Sequence, residues 1–129
     1  MNKNKKVGRW GESIAAAYLE GKGYSIVDRN YSTPEGEIDL IAVLKENGEE
    51  ILVFIEVKTR TSEKYGYPEE AITLRKWGRM LKAIERYMVD KSGYEGAWQI
   101  DEIAVQRLLE SGPPDIDHFE NVVMSHDRE

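Results

Sequence analysis

Asp39, in Gly36-Glu37-Ile38-Asp39-Leu40-Ile41-Ala42, and Glu56, in Leu52-Val53-Phe54-Ile55-Glu56-Val57-Lys58-Thr59-Arg60, lie 17 positions apart inside two hydrophobic stretches. Both stretches read as β-strands, and both carry acids that a core strand should avoid. Successive strand side chains point to opposite faces, so Glu56 and Lys58 project side by side while Ile55 and Val57 face the other way. Two carboxylates and an ammonium on the inside of a sheet are costly to desolvate unless they are paired or hold a metal. The chemistry that needs this set is metal-dependent phosphodiester hydrolysis. Two carboxylates fix a hard cation, Mg²⁺ or Mn²⁺, and leave positions open for water and a phosphate oxygen. Lys58 would orient the attacking water or stabilise charge in the transition state. The competing reading is a structural ion pair of Lys58 with Glu56 or Asp39 at a sheet edge.

The flanking residues suggest the elements that hold this set. Val7, Trp10, Gly11, Ile14, Ala17 and Tyr18 share one face at helical spacing, and Lys22-Gly23 supplies a stop. Glu12 lies beside that face: it either points along the sheet toward the acids, if Gly8 and Gly11 let the helix approach closely, or is solvated in the first turn. Tyr24 to Arg29, Glu37 to Leu44 and Glu50 to Arg60 read as strands. The polar turn Lys45-Glu46-Asn47-Gly48-Glu49 makes the last two antiparallel neighbours, which brings Asp39 and Glu56 within reach of one ion.

Thr61 to Tyr67 reads as a loop whose Tyr65 and Tyr67 could stack on an exposed base or pack as a lid. Pro68-Glu69-Glu70 predicts the start of a second helix running to about Asp90. Its apolar side is Leu74, Trp77, Met80, Leu81, Ile84 and Met88; Arg75, Arg79, Lys82 and Arg86 form a stripe on the opposite side, either a track for a phosphate backbone or a solvated face. Trp98 to Ile100 and Ile103 to Val105 suggest a fourth strand, and Asp115 to Val123 a short fifth after the turn Ser111-Gly112-Pro113-Pro114. Asp101 and Glu102 read as acids supporting the site from behind or as a solvated strand end. His118 reads as an edge or packing residue, and neither it nor His126 lies near a motif.

The spacing of Asp39 and Glu56-Val57-Lys58 resembles the PD-(D/E)xK motif of the restriction-endonuclease-like nucleases, a superfamily that includes archaeal Holliday-junction resolvases. More closely, the chain resembles the YraN-like family of small bacterial proteins. The residues that carry this likeness are Gly8, Gly11-Glu12, Ala15-Ala16, Tyr18-Leu19, Gly23-Tyr24, Arg29-Asn30, Gly36 to Leu40, Glu56 to Arg60, Tyr65-Gly66, Glu70-Ala71-Ile72 and Lys76. The resemblance implies a mixed β-sheet flanked by helices, with Asp39 and Glu56 as metal ligands, Lys58 as the catalytic lysine and Glu12 as the acid of the first helix. Ile38, not proline, precedes Asp39, a departure that touches the label more than the chemistry.

Composition narrows the classes. The chain has 129 residues, enough for one domain. It has no cysteine, so a thiolate site is impossible, and with its two histidines far from the acids an imidazole zinc site is not expected; any metal is expected to be bound by oxygen. The start, Met1-Asn2-Lys3-Asn4-Lys5-Lys6, lacks the apolar run of a signal peptide, and no stretch is apolar enough to span a bilayer. A cytoplasmic protein is expected. The net charge of −6 resides in the last quarter: residues 1–98 carry 16 basic and 16 acidic side chains, residues 99–129 carry 2 and 8. So acidic a chain should bind generic duplex weakly.

The expectation is one α/β domain over residues 1–129 with short flexible ends, a restriction-endonuclease-like core and the element order αβββαβ(β). The expected activity is a Mg²⁺- or Mn²⁺-dependent endonuclease of branched or otherwise unusual DNA, working as a homodimer if it cuts both strands. The alternatives are a nucleic-acid-binding module that hydrolyses nothing and a protein-interaction subunit with an acidic docking surface.

Overall fold

The computed structural model describes residues 3–60, 73–91, 94–107 and 112–123. The elements are α1 (Lys3–Gly21), β1 (Ser25–Ser32), β2 (Glu37–Glu46), β3 (Glu49–Arg60), α2 (Leu74–Asp90), β4 (Ala97–Gln106) and β5 (Asp115–Phe119). The five strands form one mixed sheet in sequence order. β1, β2 and β3 are antiparallel neighbours, β3 and β4 are parallel, and β5 returns antiparallel to β4. The expected mixed α/β architecture is therefore present, with both closing strands formed.

Local chemistry accounts for the meander. Asn47 and Gly48 sit at φ 52° and 81°, the left-handed pair that a two-residue hairpin needs to match strand twist. The resulting register pairs Glu46 with Glu49 and Leu40 with Ile55. A parallel neighbour requires a crossover, and α2 lies on the path from β3 to β4.

Each sheet face is covered by one helix. Ala15, Ala16 and Leu19 of α1 bury against Leu40, Ala42, Val53, Ile55, Ile103 and Val105. Trp77, Met80, Ala83, Ile84 and Tyr87 of α2 bury against Ile38, Ile41, Leu52, Phe54 and Ile100. The alternation of Phe54 and Ile55 between these clusters places Glu56 and Lys58 on the α2 side.

Both helices are rotated relative to the sequence reading. Ala17 is exposed, and the α1 face that meets the sheet is Gly11, Ala15, Ala16 and Leu19, flanked by Trp10, Ile14 and Tyr18. Small residues prevail there because the approach is close: a Cβ at Gly11 would overlap the side chain of Thr59. Gly8 has no such neighbour. On α2, Leu74 and Leu81 are exposed while Ala83 and Tyr87 are buried, because the buried stripe of Trp77, Met80, Ala83, Ile84 and Tyr87 is turned to one side of the apolar stripe read from the sequence. Thr73 is the N-cap of α2, extended and accepting from the Lys76 N–H, so this helix begins at Leu74. The expected start at Pro68, the loop of Tyr65 to Tyr67, Ser111, His126 and both chain ends lie outside the described residues.

Candidate functional site

The β2–β3 ladder runs to the pair Leu40 and Ile55, and one step further the carboxylate of Asp39 takes over as partner: its Oδ2 accepts the backbone N–H of Val57 at 2.8 Å. Burial pushes the Asp39 carboxyl up, the charge of Glu56 pushes it further, and Glu12 and Glu37 add to this; the Val57 N–H opposes them only in part. The outcome is a pKa of about 7. Near neutral pH this group takes a proton or a neighbouring positive charge.

Glu56 already has such a neighbour. Its Oε2 lies 2.9 Å from Nζ of Lys76, which stands in the first turn of α2. Burial disfavours the Lys76 ammonium, but its bond to Glu56 and the charges of Glu56, Asp39 and Glu37 outweigh that and raise its pKa. One turn later, Arg79 donates from Nε to the carbonyl of Glu35 at 3.1 Å. A Cβ on Gly36 would fall 2.5 Å from the Arg79 carbonyl oxygen, so only glycine lets α2 pack this tightly on the turn before β2. Between that turn and α2 lies a cavity of about 420 Å³, whose walls include Thr33, Asp39, Glu56, Lys76, Arg79 and Met80. This is within the range of small-ligand sites.

Glu12 belongs to the same field. Burial raises its pKa, a hydrogen bond from Asn30 counters this, and Glu37 raises it again. Asn30 sits at φ 51°, a conformation asparagine tolerates better than most residues. Lys58 follows Glu56 on the α2 side of β3, partly buried, and is the foremost positive charge acting on Glu102. Among the described residues, no group of three or more His, Asp or Glu converges as a metal cage. The oxygen ligands on offer are those of Asp39 and Glu56.

Residues 11–105 match the family described as "Uncharacterised protein family UPF0102". The chain belongs to the UPF0102 family. It is 41% identical over 118 residues to a UPF0102 protein of Syntrophomonas wolfei, covering 92% of this chain and 97% of that one. It is 40% identical over 113 residues to a UPF0102 protein of Syntrophotalea carbinolica, covering 88% and 87%. A UPF0102 protein of Leifsonia xyli matches at 39% identity over 123 residues, 95% of this chain and all of its own.

In this UPF0102 chain the fold gathers Asp39, Glu56 and Glu12 into one electrostatic cluster, with Lys58 beside it. It brings Arg79 to the cavity wall; Arg75, Lys82 and Arg86 remain exposed on the outer flank of α2, near Glu35. Lys76 carried a family likeness in the sequence but no role, and the structure places its ammonium on Glu56. A lysine one residue before the buried Trp77 was the available signal.

Asp101 and Glu102 are not a solvated strand end: they are 0% and 5% exposed, in the middle of β4. Asp101 faces α1, where its carboxylate accepts from Gln99 Nε2, Tyr24 Oη and the Asn121 N–H, and lies 2.7 Å from His118 Nε2. Burial raises the Asp101 pKa, and these bonds, His118 first, more than reverse the effect. His118 is thus a packing residue on the far face, as its position in the sequence suggested. No helix among the described residues is long and apolar enough to cross a membrane.

Proposed function

We propose that this protein is a divalent-metal-dependent nuclease acting on DNA with branched or otherwise irregular structure. The observation that carries this reading is the Asp39 carboxylate lodged where β2 leaves β3, beside buried Glu56 and facing a cavity with Lys76 and Arg79 in its wall. Oxygen-only ligands with a high affinity for positive charge suit Mg²⁺ or Mn²⁺, which proteins commonly hold with one or two carboxylates and substrate oxygens.

When bound, the cation would polarise the scissile phosphate and lower the pKa of an attacking water. Asp39 and Glu56 would hold it. The Val57 N–H fixes the Asp39 carboxylate, so that ligand is oriented in advance. Lys58 would place its ammonium against the attacking water or the charge that develops on phosphate. Lys76, released from Glu56, and Arg79 would bind phosphate oxygens at the cavity wall, and Glu12 would complete the acidic edge through its bond with Asn30. Arg75, Lys82 and Arg86 extend a basic track along α2, offsetting the acidic C-terminal quarter.

A second reading, a nucleic-acid-binding module without hydrolysis, draws on the Lys76–Glu56 pair, which gives the acids an internal counter-ion. The deciding experiment incubates the protein with labelled linear, flapped and four-way-junction DNAs in Mg²⁺, Mn²⁺ or EDTA. Metal-dependent cleavage of a branched substrate is expected. Binding at low salt with no cleavage in either metal would replace the first reading by the second.

A further inference from the structure

Glu102 is a buried acid that the site as described leaves unused. It pairs in register with Glu56 across the parallel β3–β4 ladder, so the two carboxylates leave neighbouring strands on the same face of the sheet. Like charges directly opposite each other destabilise a sheet. The residue is 5% exposed, and its Oε2 is buried with no hydrogen-bond partner among the described residues. Burying half of a carboxylate unsatisfied is rare, because the desolvation cost is not returned.

The preceding residue excludes poor packing as a general explanation. Asp101, on the opposite face of the same strand, is surrounded by Gln99, Tyr24, His118 and the Asn121 N–H. β4 therefore carries two adjacent buried acids, one hydrogen-bonded at both oxygens and one whose Oε2 has no partner among the described residues. The charges that act on Glu102 are, in order, Lys58, Glu56 and Lys76, all members of the candidate site. Its Oε2 is shielded from solvent, and the charges that act on its carboxyl are those of the candidate site.

We propose that Glu102 is a positioning carboxylate of the cation centre, accepting a hydrogen bond from water carried by the divalent cation that Asp39 and Glu56 hold. This rests on the reading of those two residues as metal ligands. Three acids do not converge as a metal cage among the described residues, so Glu102 acts through water and not as a direct ligand. Mg²⁺ dehydrates reluctantly and keeps several waters, each of which needs an acceptor. A neighbouring strand, about 4.8 Å away, is a suitable distance for such an acceptor. The lone oxygen of Glu102 gains its missing partner when the hydrated ion arrives, and Lys58 shares the same small region.

The test is Mn²⁺ binding to the full chain, followed by calorimetry and by electron paramagnetic resonance of free Mn²⁺, without any nucleic acid. Glu102→Gln keeps size and an acceptor oxygen but removes the charge. It should weaken Mn²⁺ binding about 10-fold or more, as loss of a partner behind metal ligands commonly does. In metal-free buffer the same variant should melt no lower than the parent, since an unsatisfied charge has gone. Glu102→Asp, which retains the charge on a shorter arm, should recover part of the affinity and serves as the second variant if Gln disturbs the fold. Parent-like Mn²⁺ affinity in Glu102→Gln, with Asp39→Asn abolishing binding, would overturn the role of Glu102 while leaving the cation centre intact. A parent protein that binds no Mn²⁺ overturns both.

Discussion

Asp39→Asn should stabilise the metal-free protein, and the size of the effect should depend on pH. Asparagine is nearly isosteric, and its amide oxygen can still accept the Val57 N–H that now meets Asp39 Oδ2 at 2.8 Å. What it removes is a charge whose burial, beside Glu56, raises its pKa from 3.8 to about 7. An acid with a raised folded-state pKa holds its proton more tightly folded than unfolded. Stability is therefore greatest below the unfolded value, falls as pH rises through the interval up to the folded value, and is level above it. A shift of roughly three units corresponds to at most about 4 kcal/mol, and coupling to Glu56 spreads this over the pair. Taking half of it at about 4 °C per kcal/mol for a domain of this size, Asp39→Asn should melt roughly 8 °C above the parent at pH 8.5 and within about 2 °C of it at pH 4. Circular-dichroism melts in EDTA across that range measure the difference. Adding Mg²⁺ or Mn²⁺ at about 100 times its dissociation constant should then stabilise the parent by up to about 2.7 kcal/mol and the variant far less. A variant that melts lower than the parent at pH 8.5, with metal inert on both, would refute the reasoning and make Asp39 the anion of a structural ion pair.

Lys58→Ala should reduce metal-dependent cleavage about 100- to 1000-fold with Mn²⁺ affinity retained, the loss typical for one preorganised charge; single-turnover rates on the best substrate test this, and parent-like rates would remove Lys58 from the mechanism. Replacing Arg75 and Lys82 by alanine should lower the salt dependence of DNA binding by roughly two in the log–log slope, measured by fluorescence anisotropy across ionic strength; an unchanged slope makes the stripe a solvated face. His118→Ala removes one of the four hydrogen-bond partners of the Asp101 carboxylate, leaving Gln99, Tyr24 and the Asn121 N–H, and should cost about 1–3 kcal/mol in urea unfolding, while Mn²⁺ affinity, assigned above to the opposite sheet face, stays at the parent value.

The sequence disclosed the site where neighbours in space are neighbours along a hairpin. Asp39 and Glu56 could be placed together because Asn47-Gly48 fixes an antiparallel register between two recognisable strands. It was silent where contacts depend on the crossover. Lys76 reaches Glu56 only once α2 is laid on the sheet, and Glu102 stands beside Glu56 only in the parallel β3–β4 register, which no local turn encodes. The α1 error has a similar cause. Helical periodicity centres the buried face on the largest apolar residues, but the close approach of Gly11 over Thr59 turns the helix so that Gly11 keeps its place, Ala15, Ala16 and Leu19 join it, Trp10 and Tyr18 move to the flank and Ala17 faces outward.

The bond from the Val57 N–H to Asp39 gives the sheet a built-in sensor. Inside a strand, amides usually report on backbone pairing and change only when the sheet opens. This one ends on a carboxylate, so anything that neutralises or turns Asp39 alters the electron density at the Val57 amide without unfolding a single residue. Proton uptake, arrival of a cation or docking of a phosphate would each move its nitrogen and proton resonances, while amides on the far side of the sheet, such as that of Ile116, serve as the reference. A single nuclear magnetic resonance cross-peak can therefore follow the state of Asp39 without any nucleic acid in the sample.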